Sequence, residues 1–279
     1  MIQRCLPIFL FPLCVQAQSV QVPSLTDFVI LENAAEAICA GDTARTINLL
    51  GSYINEYPDS SSSLYAGYLM GQLYLQGRDT LKAVRSWKQA LEVGGRQVPY
   101  GFTRKCEKVL EDQWYVKKAD ICVLISECYR KSNDQSTALD YLQLADTKYL
   151  PYRDCGNGML MYRTMLSMYI AQNYLEQGDT TQAIQRLLEY FMSMERYSFQ
   201  VTEMLHDILL SRYSQEEIKD QFKHAIKGMR IVRGGPNEPE KILEFTVLDH
   251  TIRKPAYRSL RDQKRLFREH RNIRSLMGT

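Results

Sequence analysis

Glycine and proline are scarce, 15 and nine in 279 residues. That excludes a fibrous or low-complexity chain and argues against a turn-dense β-sandwich, leaving helices as the better fit. No apolar run approaches the ~20 residues that span a bilayer, which excludes a polytopic membrane protein. The formal charge is only +3, too small for an overall electrostatic glove for nucleic acid. Histidine is rare. His206, His224, His250 and His270 are all there are, and none stands at a zinc-binding or triad spacing. Glycine-rich phosphate loops, GxSxG and HExxH are absent. What is present is 45% hydrophobic and 24% charged residues with a mean hydropathy of −0.33, the composition of an ordinary soluble globular chain.

The first residues have the pattern of a secretory signal peptide. Arg4 precedes an apolar stretch from Cys5 to Val15, and Val15 and Ala17 place small residues at −3 and −1 of a cleavage site before Gln18. Residues 1–17 are therefore expected to be removed and the chain exported, to the periplasm or cell envelope or beyond the cell. A frayed core segment and a lipoprotein processed at Cys14 are the alternatives, the second disfavoured by the bulk of Leu13. Loss of Cys5 and Cys14 would leave Cys39, Cys106, Cys122, Cys128 and Cys155. An odd count with no CxxC argues against a complete disulfide framework. Cys122 and Cys128 do not share a helical face, and the cysteines are expected to serve as small buried hydrophobes.

Self-similarity is the informative feature. Segments beginning at Asp27, Leu64, Ala119, Thr164 and Phe199 align so that their sixteenth residues are Asp42, Asp79, Asp134, Asp179 and Ser214. All are helix N-cap types, each worth about 1 kcal/mol. Gly41, Gly77, Asn133 and Gly178 just precede them and suit the left-handed conformation that ends the previous helix. Position 8 reads Ala34, Gly71, Ser126, Ala171 and His206. Position 20 reads Thr46, Ala83, Ala138, Ala183 and Ile218, and position 24 reads Leu50, Trp87, Leu142, Leu187 and Phe222. Small residues thus face large ones across each expected helix pair, as ridges packing into grooves require.

This arrangement resembles the tetratricopeptide repeat, a 34-residue helix-turn-helix unit with small residues at positions 8, 20 and 27 and aromatics near 11 and 24. The resemblance covers about residues 27 to 228. It implies an all-α solenoid, a right-handed superhelix of about five units over residues 18–228, followed by a C-terminal appendage at 229–279. Starts lie 37, 55, 45 and 35 residues apart, so the superhelix should be irregular. An extra helix is expected around Phe102 to Trp114, and a loop from Tyr149 to Gly158. In the family, side chains of the concave groove come from positions 2, 5, 9 and 12. The corresponding residues implied here as peptide-binding are Tyr65, Tyr68, Gln72, Leu75, Glu127, Arg130, Met168 and Gln172, with several open to the alternative role of core packing. Arg130 and Lys131 alone do not make the basic cluster that grips an acidic C-terminal peptide.

Beyond Gly228 the pattern changes. Two β-prone runs, Met229–Arg233 and Ile242–Leu248, flank a Gly/Pro-rich turn and suggest either a small hairpin or an extended strap. From Arg253 onward nine basic residues face two acids, a net of +7 against −4 for the rest. A helix from Tyr257 to Met277 would carry Leu260, Phe267, Ile273 and Met277 as a narrow apolar stripe. Arg261, Lys264, Arg265, Arg268 and Arg271 would line its basic surround. Such a helix could cap the solenoid, dock an acidic partner or lie on an anionic membrane.

The expected function is a non-enzymatic scaffold that binds a protein or peptide, with no cofactor, metal, nucleic acid or small-molecule substrate. The competing classes are a peripheral membrane or acidic-partner binder acting through the basic helix, and a cysteine-dependent enzyme using Cys155.

Overall fold

The computed structural model describes residues 25–58, 60–93, 118–150, 156–193, 197–236 and 238–278. The signal segment, the expected helix at Phe102 to Trp114, and Cys155 lie outside the described residues. Ten helices form five successive pairs: α1 (Leu25–Cys39) with α2 (Thr43–Glu56), α3 (Ser61–Gln76) with α4 (Thr80–Glu92), α5 (Lys118–Lys131) with α6 (Gln135–Thr147), α7 (Gly156–Glu176) with α8 (Thr180–Leu188), and α9 (Ser198–Leu210) with α10 (Gln215–Gly228). Each pair packs on the next, as a solenoid requires. This is an all-α, tetratricopeptide-like helix-turn-helix solenoid with a small C-terminal sheet.

The turns are built as the sequence anticipates. Asp42, Asp79, Asp134 and Asp179 each accept the backbone N–H three residues on, from Arg45, Lys82, Thr137 and Gln182, at 3.0–3.1 Å. Ser214 and Glu217 form a reciprocal capping box. The residue just before each aspartate is left-handed: Gly41, Arg78, Asn133 and Gly178 at φ 72°, 62°, 65° and 79°. Gly77, expected in that role, sits one residue too early at φ −74°. Arg78 takes the conformation instead because the cap register, not glycine placement, decides which residue must turn.

Close approach within the pairs follows from the small positions. Residues at position 20 are fully buried in all five units, as are Leu50, Trp87, Leu142, Leu187 and Phe222 at position 24 or nearly so. At Gly71 a Cβ would overlap the Trp87 indole, and at Gly67 it would come within 2.8 Å of Ala90 Cβ. Trp87 Nε1 donates to the Tyr68 carbonyl at 3.1 Å, which satisfies the buried indole.

The fifth pair departs from the rule. His206 and Ile218 are large where other units are small, and α9 and α10 stand further apart than the helices of the first four pairs. The chain's own C-terminus makes up the difference. After α10 come three antiparallel strands, β1 (Arg230–Arg233), β2 (Lys241–Val247) and β3 (His250–Pro255), then α11 (Leu260–Glu269) and α12 (Arg271–Leu276). β2 packs on α10, and α12 packs on both α9 and α10. Gln215 ties the three together, its Oε1 3.1 Å from His206 Nε2 and its Nε2 donating to the Leu276 carbonyl at 2.8 Å. Phe245, Val247, Phe267, Ile273 and Leu276 share one apolar core with Leu205, Leu209, Ile218 and Phe222. The appendage is therefore continuous with the last repeat.

Of the two readings of this region the hairpin is present, as β1 with β2, and the strap is not. A third strand extends the hairpin because Leu248 and Asp249 make a two-residue turn with φ of 50° and 64°. Such a turn usually announces itself by Asn-Gly. Here burial of the Leu248 side chain accompanies the strained backbone. Contrary to expectation the basic helix is not continuous: it breaks at His270, whose Nδ1 accepts the Asn272 N–H at 3.2 Å and caps α12.

Gly71→Ala should lower stability by about 1–3 kcal/mol through overpacking against Trp87. Arg78→Gly should raise it by up to about 1 kcal/mol by relieving the left-handed residue. Urea unfolding measures both, and equal effects of the two would contradict the described register.

Candidate functional site

The first helices α3, α5 and α7 carry the residues implied as the ligand-facing ladder. In the second unit the Tyr65 and Tyr68 rings stack at 6.4 Å. Burial, then the neighbouring Tyr68, pushes the Tyr65 phenol above its usual pKa. Gln72 donates to the Tyr68 hydroxyl at 2.9 Å. Tyr68 and Leu75 are half-buried and pack against core clusters, so both contribute to packing as well as to the face.

The third and fourth units are joined across this face by a chain of charges. Arg130 grips Glu127 with two nitrogens, Nε to Oε1 at 3.2 Å and Nη2 to Oε2 at 2.9 Å, and reaches Glu176 with Nη1 at 2.7 Å. Gln172 donates to the same Glu176 oxygen at 3.0 Å. These hydrogen bonds, to Glu127 first and Glu176 second, raise the Arg130 pKa still further. The guanidinium is committed to two carboxylates, so Arg130 is a strut between α5 and α7 and not a free ligand hand. Tyr162 donates to Asp120 at 2.8 Å in the same interval. Met168 packs against the C-terminal core. Tyr169 is 37% exposed. Burial, with Glu127 and Tyr197 nearby, raises the Tyr169 pKa.

The ladder continues onto α9, where Phe199 and Leu210 are 43% and 45% exposed and Glu203 and Asp207 are exposed. The sequence reading placed none of these four on the ligand-facing ladder. Glu203, Asp207 and Leu210 occupy positions 5, 9 and 12 of the fifth unit, so the same register extended by one repeat finds them.

Most of the basic tail is used internally. Arg253 pairs with Glu238 and Glu244 at 2.9 and 3.3 Å, and Lys264 donates to the Lys227 carbonyl at 2.8 Å, at the negative end of α10. Arg265 pairs with Asp262 at 3.4 Å. Arg271 lies over the Phe199 ring, 5.4 Å from its centroid. Arg261 and Arg268 are exposed with no ion pair among the described residues. The Lys254 ammonium lies 5.6 Å from the Phe191 ring centroid, and burial pushes its pKa down to about 8.

A cavity of about 250 Å³ opens between α6, α7 and α8, lined by Gln143, Asp146, Tyr174, Gln182 and Arg186 among others. Arg186 holds Asp146 at 2.7 Å and Glu189 at 3.3 Å, so its charges are paired within the protein. Among the described residues no group of three His, Cys, Asp or Glu is placed to hold a metal, and no helix is long and apolar enough to cross a membrane. Cys122 and Cys128 are buried free thiols, and burial raises Cys122 to about 12, the inert state of a packing cysteine. Cys39, exposed at the end of α1, is disulfide-bonded and so is not the buried hydrophobe expected.

No family model and no curated protein matches the chain. Solved structures that it resembles include MamA, at 11% identity and a TM-score of 0.41, covering 64% of this chain and 84% of that one. A putative kinesin light chain from Podosopora anserina with nearly identical TPR-like repeats gives 10% identity and a TM-score of 0.41, over 67% and 85%. The TPR domain of P58(IPK) gives 11% and 0.31, over 72% and 51%. The assignment of the solenoid to this chain stands on its own caps and helix packing.

Burial first, then the Lys254 charge, lowers the His270 pKa. The neutral ring is thus favoured in the fold, and it is the neutral Nδ1 that can cap α12. The sign follows: this stability is fully present above the ordinary value near 6.5 and is lost as pH falls through the depressed native value. His270→Asn keeps a capping oxygen without a titrating proton. Melting curves at pH 7.5 and 5 should show a larger drop for the natural chain than for this variant. An identical drop would remove His270 from the acid response.

Proposed function

We propose that this chain is a non-enzymatic scaffold that binds a protein or peptide along the face of its first helices. The observation that carries the proposal is the continuity of that face. Over α7 and α9 it presents exposed Tyr169, Gln172, Phe199, Glu203, Asp207 and Leu210, polar and apolar groups intermixed on two successive units. Apolar anchors supply burial and the amides and carboxylates fix register, a combination suited to an extended or helical segment. Packing of α7 on α8, and of α9 on α7, α8 and α12, holds these groups in place before a ligand arrives, which reduces the ordering cost of binding.

The tail supports a different role from the one its charge alone suggests. Its apolar stripe closes the end of the solenoid and many of its cations have internal partners, so recognition is assigned to the helical face and structural closure to the tail. The N-terminal pattern supports export, and we place the scaffold in the cell envelope or outside the cell on that basis.

A photo-crosslinking residue at Gln172, introduced in the full chain and activated in an extract of the source cells, should capture a discrete protein partner. The same probe at Leu81, 84% exposed on the second-helix side of the second unit, should not. Capture from Leu81 alone, or the same partner from both positions, would overturn the assignment of the face.

A further inference from the structure

The charge of the first-helix face is uneven, and its C-terminal end has a chemistry of its own. At positions 2, 5, 9 and 12 of the second to fifth units the charged residues are Asp120, Glu127, Glu203 and Asp207 against Arg130 alone. Arg130 is already shared between Glu127 and Glu176, and Asp120 accepts a hydrogen bond from Tyr162. Glu203 and Asp207, by contrast, are exposed and make no ion pair among the described residues. They stand on the same surface of α9 as Phe199 and Leu210. Tyr169 of α7, on the neighbouring unit, lies near Tyr197 at the start of α9. This is an unpartnered helix face that is apolar and acidic together.

The protein itself shows what such a face accepts. Arg271, reaching back from α12, sets its guanidinium over the exposed Phe199 ring. A cation above a ring face beside carboxylates gains from the ring quadrupole and from the carboxylate charge at once. One arginine of the chain's own basic tail thus covers one edge of the face and leaves Glu203, Asp207 and Leu210 open.

We propose that the α7–α9 end of the face docks a basic segment of a partner protein in which arginine or lysine alternates with leucine or an aromatic residue. Cations of the segment meet Glu203 and Asp207, and its apolar side chains lie on Tyr169, Phe199 and Leu210. Arg271 competes for the Phe199 edge. This deepens the scaffold assignment and rests on it.

The test uses the full chain and three fluorescent twelve-residue probes of alternating sequence: arginine with leucine, serine with leucine, and glutamate with leucine. Anisotropy at about 50 mM salt should show the arginine probe binding at least about tenfold more tightly than the serine probe, with no measurable binding of the glutamate probe. The difference should shrink at about 300 mM salt, as screening requires. Glu203→Gln combined with Asp207→Asn should abolish most of that preference. Glu216→Gln with Asp220→Asn, the same change in net charge on the exposed side of α10, should leave it intact. Arg271→Ala should strengthen the arginine probe by removing its competitor.

Equal binding of the serine and arginine probes would overturn the charge preference while leaving a peptide-binding face. Equal loss from the α9 and α10 pairs would show attraction by net charge and would likewise overturn the site. Failure of every probe would overturn the docking proposal, whereas the scaffold assignment fails separately, on the crosslink at Gln172.

Discussion

Two helices can bury a large side chain between them only if something small lies opposite, and this requirement organises the first four pairs of the solenoid. Gly71 has no room for a side chain because the Trp87 ring occupies it. Ala34, Ser126 and Ala171, all buried, repeat the small residue at the same place on the first helices of the first, third and fourth units. Van der Waals contact at that separation is what a helix pair gains over a single helix, which cannot bury its own apolar stripe. The aspartate caps set where each second helix starts, so caps and small residues together specify one register. A shift of one residue would lose both.

The fifth unit shows what happens when the constraint is relaxed. His206 and Ile218 hold α9 and α10 apart, and an open pair at the end of a solenoid would expose apolar surface. A sheet and two short helices from the C-terminus fill that space, with Phe267 edge-on to Phe245 at 5.0 Å and Phe191 against Phe222 at 6.0 Å. Asn272 donates to the carbonyls of Phe191 and Ser198, satisfying backbone groups between α8 and α9. Terminal repeats need a cap with a polar outer side, and here the arginines of α11 and α12 supply it.

Closure of the end also shapes the face that is left. The same α12 that fills the gap brings Arg271 onto Phe199, so the structural and recognition roles meet at one residue. Farther along, the Glu127–Arg130–Glu176 link stiffens the junction of the third and fourth units. Half-buried, paired charges there act as spacers, and at positions 2, 5, 9 and 12 of the units the carboxylates without an ion pair or side-chain hydrogen bond among the described residues are Glu203 and Asp207 of α9. The surface is therefore graded, tyrosine-rich at α3 and acidic with apolar anchors at α9.

The sequence by itself determined the helix pairs, their caps and the small-to-large packing, because these depend on spacing along one chain. It also contained the face, since position number maps onto helix surface once the register is known. Extended to the fifth unit, that register reaches Glu203, Asp207 and Leu210. What the tertiary structure alone decided were contacts between distant segments: that Arg130 is spent on Glu176, that Arg271 lies on Phe199, and that the apolar stripe of the tail folds onto the last repeat while most of its cations stay on the surface. The Leu248–Asp249 turn belongs with these. Its left-handed residues carry no glycine signal, and the burial that accompanies them arises only when the sheet meets α10.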